Sequence, residues 1–147
     1  MKRTTWVKGF PMGLEARLEH VAIAVQNLDA ALAVYRAILG RPDSGREVVE
    51  SEQVKLAFFD LGEARLELLE PTAADSPVGR FLERRGPGLH HIALEVDDLD
   101  AALERCRAAG LTTVGEAPRP GAGGRPVAFL HPAGTGGVLL ELCQATR

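Results

Sequence analysis

Residues 18–25, LEHVAIAV, alternate: Val21, Ile23 and Val25 fall on one parity, His20, Ala22 and Ala24 on the other. A period of two marks a strand whose faces meet different surroundings. At Asn27 the period changes. Leu28, Ala31, Leu32, Tyr35 and Leu39 form one stripe at helical spacing, so a helix is predicted over Leu28–Leu39, with Asn27 as its N-cap and Gly40 as a left-handed stop. Strands are predicted near 46–50 and over 54–61 and 64–69, the last two joined by a tight turn at Gly62-Glu63. A short helix over 78–85 follows Asp75-Ser76-Pro77 and closes at Gly86-Pro87-Gly88. The order then repeats. A strand over 89–96 leads into a helix over about 99–109, capped by Asp97 or Asp98 and stopped at Gly110. A short strand at 111–114, a Pro- and Gly-rich loop over 115–126, and strands over 127–131 and 137–142 complete the chain.

The repeat is also one of residues. Setting His20 on His91 aligns 18–32 with 89–103 without a gap. Identities fall at His20/His91, Ala22/Ala93, Val25/Val96, Leu28/Leu99, Asp29/Asp100, Ala30/Ala101, Ala31/Ala102 and Leu32/Leu103. The chain therefore reads as two copies of a βαβββ unit. The first module spans 17–71, a helical connector 72–88 and the second module 89–147, in one compact domain over 17–147. Residues 1–16 read as a disordered N-terminal extension, with Met12 as an alternative start.

Composition narrows the function. Seventeen basic and 20 acidic residues are interspersed, for a net charge of −3, which leaves no basic patch for nucleic acid. No apolar run approaches the ~20 residues of a membrane helix, and the N-terminus has no apolar core of a secretory signal. Cys106 and Cys143 are far apart and form no CxxC pair, so they read as reduced thiols. The expectation is a cytoplasmic enzyme or binding protein.

Parity then points to a site. Leu66 and Leu68 flank Glu67 as Leu140 and Leu142 flank Glu141. If the leucines face the helices, both glutamates face the opposite side of the sheet. There they join His20 and His91 beside the small residues Ala22, Ala24 and Ala93. A lone strand histidine is usually structural; four such residues at equivalent positions in two copies suit a divalent first-row metal with open positions. His90 has the opposite parity from His91 and reads as structural. His131, before Pro132, reads as a loop residue.

These residues carry a resemblance. The repeated βαβββ unit with His and Glu in its first and last strands resembles the vicinal oxygen chelate superfamily. The stretches LEHVAIAV, LELLEP, DSPVGRFLERRGPGLHHIALEVDDLDAAL and GAGGRPVAFLHP…GGVLLEL resemble its methylmalonyl-CoA epimerase family. The resemblance implies an α+β fold of two tandem βαβββ modules forming a curved, cupped mixed sheet with helices on its outer face. It implies metal-dependent epimerisation of (2R)/(2S)-methylmalonyl-CoA by C2 proton abstraction through a metal-stabilised enolate, by a homodimer. His20, Glu67, His91 and Glu141 match the metal ligands, for Co2+ ahead of Zn2+, Mn2+ and Ni2+, and Glu141 also matches a catalytic base. Some epimerases have Gln at the Glu67 position. A second base found in some epimerases falls at Leu56 here, which leaves Glu50, Glu52 or a metal-bound water for its role. Arg119, Arg125 and Lys55 are candidates for the CoA phosphates, each more simply a surface charge, and the loop over 121–124 would close over the acyl group. The rival readings are another enzyme of the superfamily, such as glyoxalase I or an extradiol dioxygenase, and a metal-free antibiotic-binding protein of the same fold.

Overall fold

The computed structural model describes residues 16–146. The extension read over 1–16, with Met12, lies outside the described residues except for Ala16. The first module runs β1 (Arg17–Ala24), α1 (Leu28–Leu39), β2 (Gly45–Val49), β3 (Val54–Asp60) and β4 (Arg65–Pro71). A connector helix, α2 (Pro77–Arg85), leads to the second module: β5 (Gly88–Val96), α3 (Leu99–Ala108), β6 (Thr113–Pro120), β7 (Pro126–Leu130) and β8 (Leu140–Gln144). All eight strands form one curled mixed sheet, in the order β2-β3-β4-β1-β5-β8-β7-β6. Within each module the first and last strands pair in parallel; β1 and β5 pair antiparallel at the seam. Val21 faces Ile92 there, and His20↔Ala93 mirrors Ala22↔His91, so the seam carries an approximate two-fold axis.

The two helices that open each module start in the same way. Asn27 accepts from the Ala30 amide and Asp98 from the Ala101 amide, each satisfying a donor that the helix leaves free. The Glu70 and Gln144 side chains, at equivalent ends of β4 and β8, accept from the amides of Leu28 and Leu99 at 2.9 Å. Both helices pack on the convex face. Leu28 and Leu32 meet Ala57, Phe59 and Leu68; Leu99, Ala102 and Leu103 meet Ala128, Leu130 and Leu142.

The connector helix behaves differently. Val78, Phe81 and Leu82 pack with Ala22, Ala24, Val54, Leu56 and Leu69, on the concave side of the first module. Ser76, wholly buried, caps this helix by accepting from the Gly79 amide at 3.1 Å. A Cβ on Gly79 would come within contact distance of the carbonyl oxygens of Ala73 (2.7 Å) and Ala74. Helix propensity alone favours Ala here by about 1 kcal/mol, but the clash with fixed backbone should outweigh it. Gly79→Ala is expected to destabilise the protein by about 1–3 kcal/mol, read as a lower denaturant midpoint at unchanged slope.

Two sequence expectations are corrected. The stretch read as a loop from 115 is largely strand, because β6 continues to Pro120. It pairs through Val114↔Phe129 and resumes at Arg119↔Val127, so residues 115–118 bulge out of the ladder. Proline is tolerated because β6 is an edge strand. The final strand begins at Leu140, after turns in which Gly136 and Gly137 take positive φ.

Candidate active site

The site lies in the hollow of the curled sheet, and its residues arrive there through strand parity. Leu66 and Leu68 face α1 while Glu67 and Leu69 face the hollow; Leu140 and Leu142 face α3 while Glu141 and Cys143 turn the other way. His20, Glu67, His91 and Glu141 are all buried and line one cavity, with each module supplying one imidazole and one carboxylate. The two Nε2 atoms lie 3.1 Å apart. Glu141 Oε2 lies 2.9 Å from His91 Nε2 and 3.1 Å from His20 Nε2, and Glu67 Oε2 lies 2.6 Å from His20 Nε2. Donor atoms of His20, His91 and Glu141 lie within 4.8 Å of one another, and Glu67 joins this trio from the His20 side.

The outer nitrogens are held too. The seam has one extra residue on each side: Glu19 interrupts the β1 register and His90 that of β5. These are the same position in the two copies, and each is a β-bulge beside a site histidine. Glu19 Oε1 sits 3.2 Å from His20 Nδ1, and His90 Nδ1 sits 2.8 Å from His91 Nδ1. With both outer nitrogens engaged, both Nε2 atoms are directed at each other and at carboxylate oxygens.

Parity fails at His90 for this reason. The bulge turns it onto the cavity, where it lies edge-on to Phe81 with ring centroids 5.0 Å apart. Burial and the neighbouring His91 charge lower its pKa to about 4 against the pull of Glu141, so it is a neutral ring at pH 7.

The electrostatics call for a cation. Burial opposes charge on His20, yet the carboxylates of Glu141, Glu19 and Glu67 outweigh it and raise its pKa to about 11. Burial would likewise raise Glu141, but His20 and His91 hold its carboxyl well below the usual range. The His20 ring, helped by Arg65 against burial, holds Glu19 at about 2. Without a metal, a proton on His20 supplies the missing positive charge. A divalent ion with bonds of about 2.0–2.1 Å would place neighbouring ligand atoms roughly 3 Å apart, which is the spacing here. The donor set fits such an ion.

The rest of the cavity is apolar on the first-module side, where Val49, Val54, Leu56 and Leu69 form the wall. Leu56 is buried in it. Two further polar residues, Glu52 and Arg119, line the same cavity. Glu52, in the 3-10 turn before β3, takes the Arg119 guanidinium on both oxygens, at 2.7 and 3.3 Å. Arg119 also lies over the Phe129 ring, 5.1 Å from its centre. Around this pair Ser51 donates to the Pro120 carbonyl and the Gly123 amide donates to Glu47, so the two edges of the sheet are tied across the mouth. Glu50 is exposed and off the cavity. Of the other proposed phosphate contacts, Lys55 pairs with Glu70, and Arg125 pairs with Glu95 and Glu19. His131 accepts from the Ala133 amide in an exposed turn. No helix among the described residues is long and apolar enough to cross a membrane.

Comparison with known proteins bears on the same arrangement. A family model described as glyoxalase/bleomycin resistance protein/dioxygenase superfamily matches residues 19–129. The human mitochondrial methylmalonyl-CoA epimerase is 43% identical over 130 residues, covering 88% of this chain and 74% of that protein. An ethylmalonyl-CoA/methylmalonyl-CoA epimerase of Cereibacter sphaeroides is 43% identical over 130 residues, covering 87% and 97%. The solved structure of a Streptomyces coelicolor methylmalonyl-CoA epimerase variant, in complex with 2-nitronate-propionyl-CoA, superposes with a TM-score of 0.84 at 38% identity, covering 89% of this chain and 98% of that one. The chain belongs to the glyoxalase/bleomycin resistance protein/dioxygenase superfamily and, within it, to the methylmalonyl-CoA epimerase family of isomerases.

Proposed function

We propose that this protein interconverts the C2 epimers of methylmalonyl-CoA, with His20, Glu67, His91 and Glu141 holding a divalent metal and Glu141 moving the C2 proton. The observation that carries this reading is the convergence of two imidazole nitrogens and the Glu141 carboxylate within 4.8 Å, with Glu67 beside His20, in a cavity with an apolar first-module wall. Named relatives and a neighbouring complex with an acyl-CoA analogue supply the substrate class.

The C2 proton lies between a thioester and a carboxylate and is acidic for a C–H bond. A cation bound by the four residues, Co2+ ahead of Zn2+, Mn2+ and Ni2+, would supply positive charge to the oxygens on which charge develops. Glu141 is ionised at neutral pH because His20 and His91 hold its proton affinity down. Val49, Val54, Leu56 and Leu69 exclude water from the wall beside the reacting carbon, which strengthens these charge interactions. The CoA portion leaves through the mouth. We place the protein in the cytoplasm, where the unpaired Cys106 and Cys143 stay reduced. We assign it a homodimer, for which the exposed Val34 and Ile38 of α1 offer apolar surface.

The test is exchange in heavy water. With divalent metal added, each epimer of methylmalonyl-CoA is expected to take deuterium at C2 and to racemise, while the glutathione–methylglyoxal hemithioacetal is not turned over. The reverse pattern would replace this reading with a glyoxalase one.

A further inference from the structure

Epimerisation needs a proton removed from one face of C2 and returned on the other, so a second proton carrier must stand across the cavity from Glu141. The titratable groups lining the cavity are His20, Glu52, Glu67, His90, His91 and Glu141, together with the guanidinium of Arg119. His20, Glu67 and His91 belong to the metal-binding cluster. His90 is tied to His91 at Nδ1. The Arg119 guanidinium carries only donors. Among the described residues, Glu52 is the carboxyl that remains.

Resting on the epimerase reading, we propose that Glu52 is the second catalytic acid/base, positioned by Arg119. Its placement suits the task. Glu52 precedes β3, and β4, β1 and β5 separate β3 from β8, so Glu52 and Glu141 reach the hollow from opposite walls of the curled sheet. The bulge over 115–118 sets Arg119 at the cavity, where the bidentate pair and the Phe129 ring fix the carboxyl plane. Burial raises the Glu52 carboxyl above the ordinary carboxylate value although Arg119 and His91 pull it down, and the charge of Glu141 adds to the rise. A carboxyl fixed at the cavity can exchange a proton with the face of C2 turned toward it.

In the step itself the C2–H bond breaks as its proton passes to Glu141. The electron pair spreads onto the thioester and carboxylate oxygens. The O–H bond of Glu52 then breaks as C2–H forms on the opposite face. The product leaves Glu141 protonated and Glu52 ionised, and exchange with water resets both. The other epimer runs the same sequence with the roles exchanged.

The experiment follows C2 deuterium uptake from each pure epimer separately, using metal-loaded protein. Glu52→Gln is expected to slow epimerisation by about 10²–10⁴-fold, keeping exchange of the epimer whose proton faces Glu141 and losing that of the other. Glu52→Asp, which keeps the charge and the pair with Arg119, is expected to show the same one-sided loss to a smaller degree; it decides the matter if the Gln variant does not fold. Parental exchange of both epimers, or equal loss from both, would overturn the proposal, the latter showing only a structural tie to Arg119. Parent protein that exchanges neither epimer would instead sink the epimerase reading itself.

Discussion

Glu141→Gln is expected to lower C2 proton exchange and epimerisation of methylmalonyl-CoA by at least about 10²–10⁴-fold while the protein stays folded. The change is nearly isosteric, and the flanking Leu140 and Leu142 keep their packing against α3. What is lost is the charge that faces both imidazoles, at 2.9 and 3.1 Å. An amide cannot take up the C2 proton, and it is a weaker ligand for a cation. Glu67→Gln serves as the comparison. Glu67 makes its close contact with His20 alone, so a much smaller loss is expected. Paired rate measurements at saturating metal check both. Equal losses in the two variants would remove Glu141 from the base role.

Stripping the metal is expected to abolish exchange, and titrating it back should restore activity with release of a proton. His20 carries its proton up to about pH 11 in the metal-free site because burial is outweighed by Glu141, Glu19 and Glu67. That value lies above the ordinary 6.5, so the protonated form dominates at pH 7–9 and an incoming cation must displace it. Apparent metal affinity should therefore rise with pH across that range, about tenfold per unit where one proton is displaced. Calorimetry in buffers of different ionisation enthalpy counts the proton directly. Affinity that is flat with pH, or no stoichiometric binding, would contradict the arrangement.

Much of this was legible in the sequence, and the reason is period. Alternation in LEHVAIAV and LHHIALEV, with leucines flanking Glu67 and Glu141, carries the face of each side chain directly, and the repeat doubles the signal. Legibility ends where the period breaks. Alternation alone turns His90 away from the cavity, because it does not register the residue that the bulge at the seam adds out of step. Arg119 sits behind a four-residue bulge over 115–118 in a stretch whose prolines and glycines read as loop. Glu52 lies in a turn ended by Gln53 at φ 52°, and its partner is 67 residues away, a distance to which no local pattern applies. The concave position of α2 was likewise unreadable, since an amphipathic stripe does not say which side of a sheet it covers.

The even division of the cluster across the β1–β5 seam has a consequence for assembly of the chain. His20 and Glu67 lie in one half, His91 and Glu141 in the other, so neither half can present the site alone. Strand pairs inside each module join residues up to about 48 apart, whereas the seam joins residues about 70 apart and forms against a somewhat larger loop-closure entropy. The site thus comes into being at the slow, long-range step of folding. A chain interrupted before Leu140–Gln144 lacks Glu141 and β8 altogether, and competence for ligand arrives only once that strand has been made.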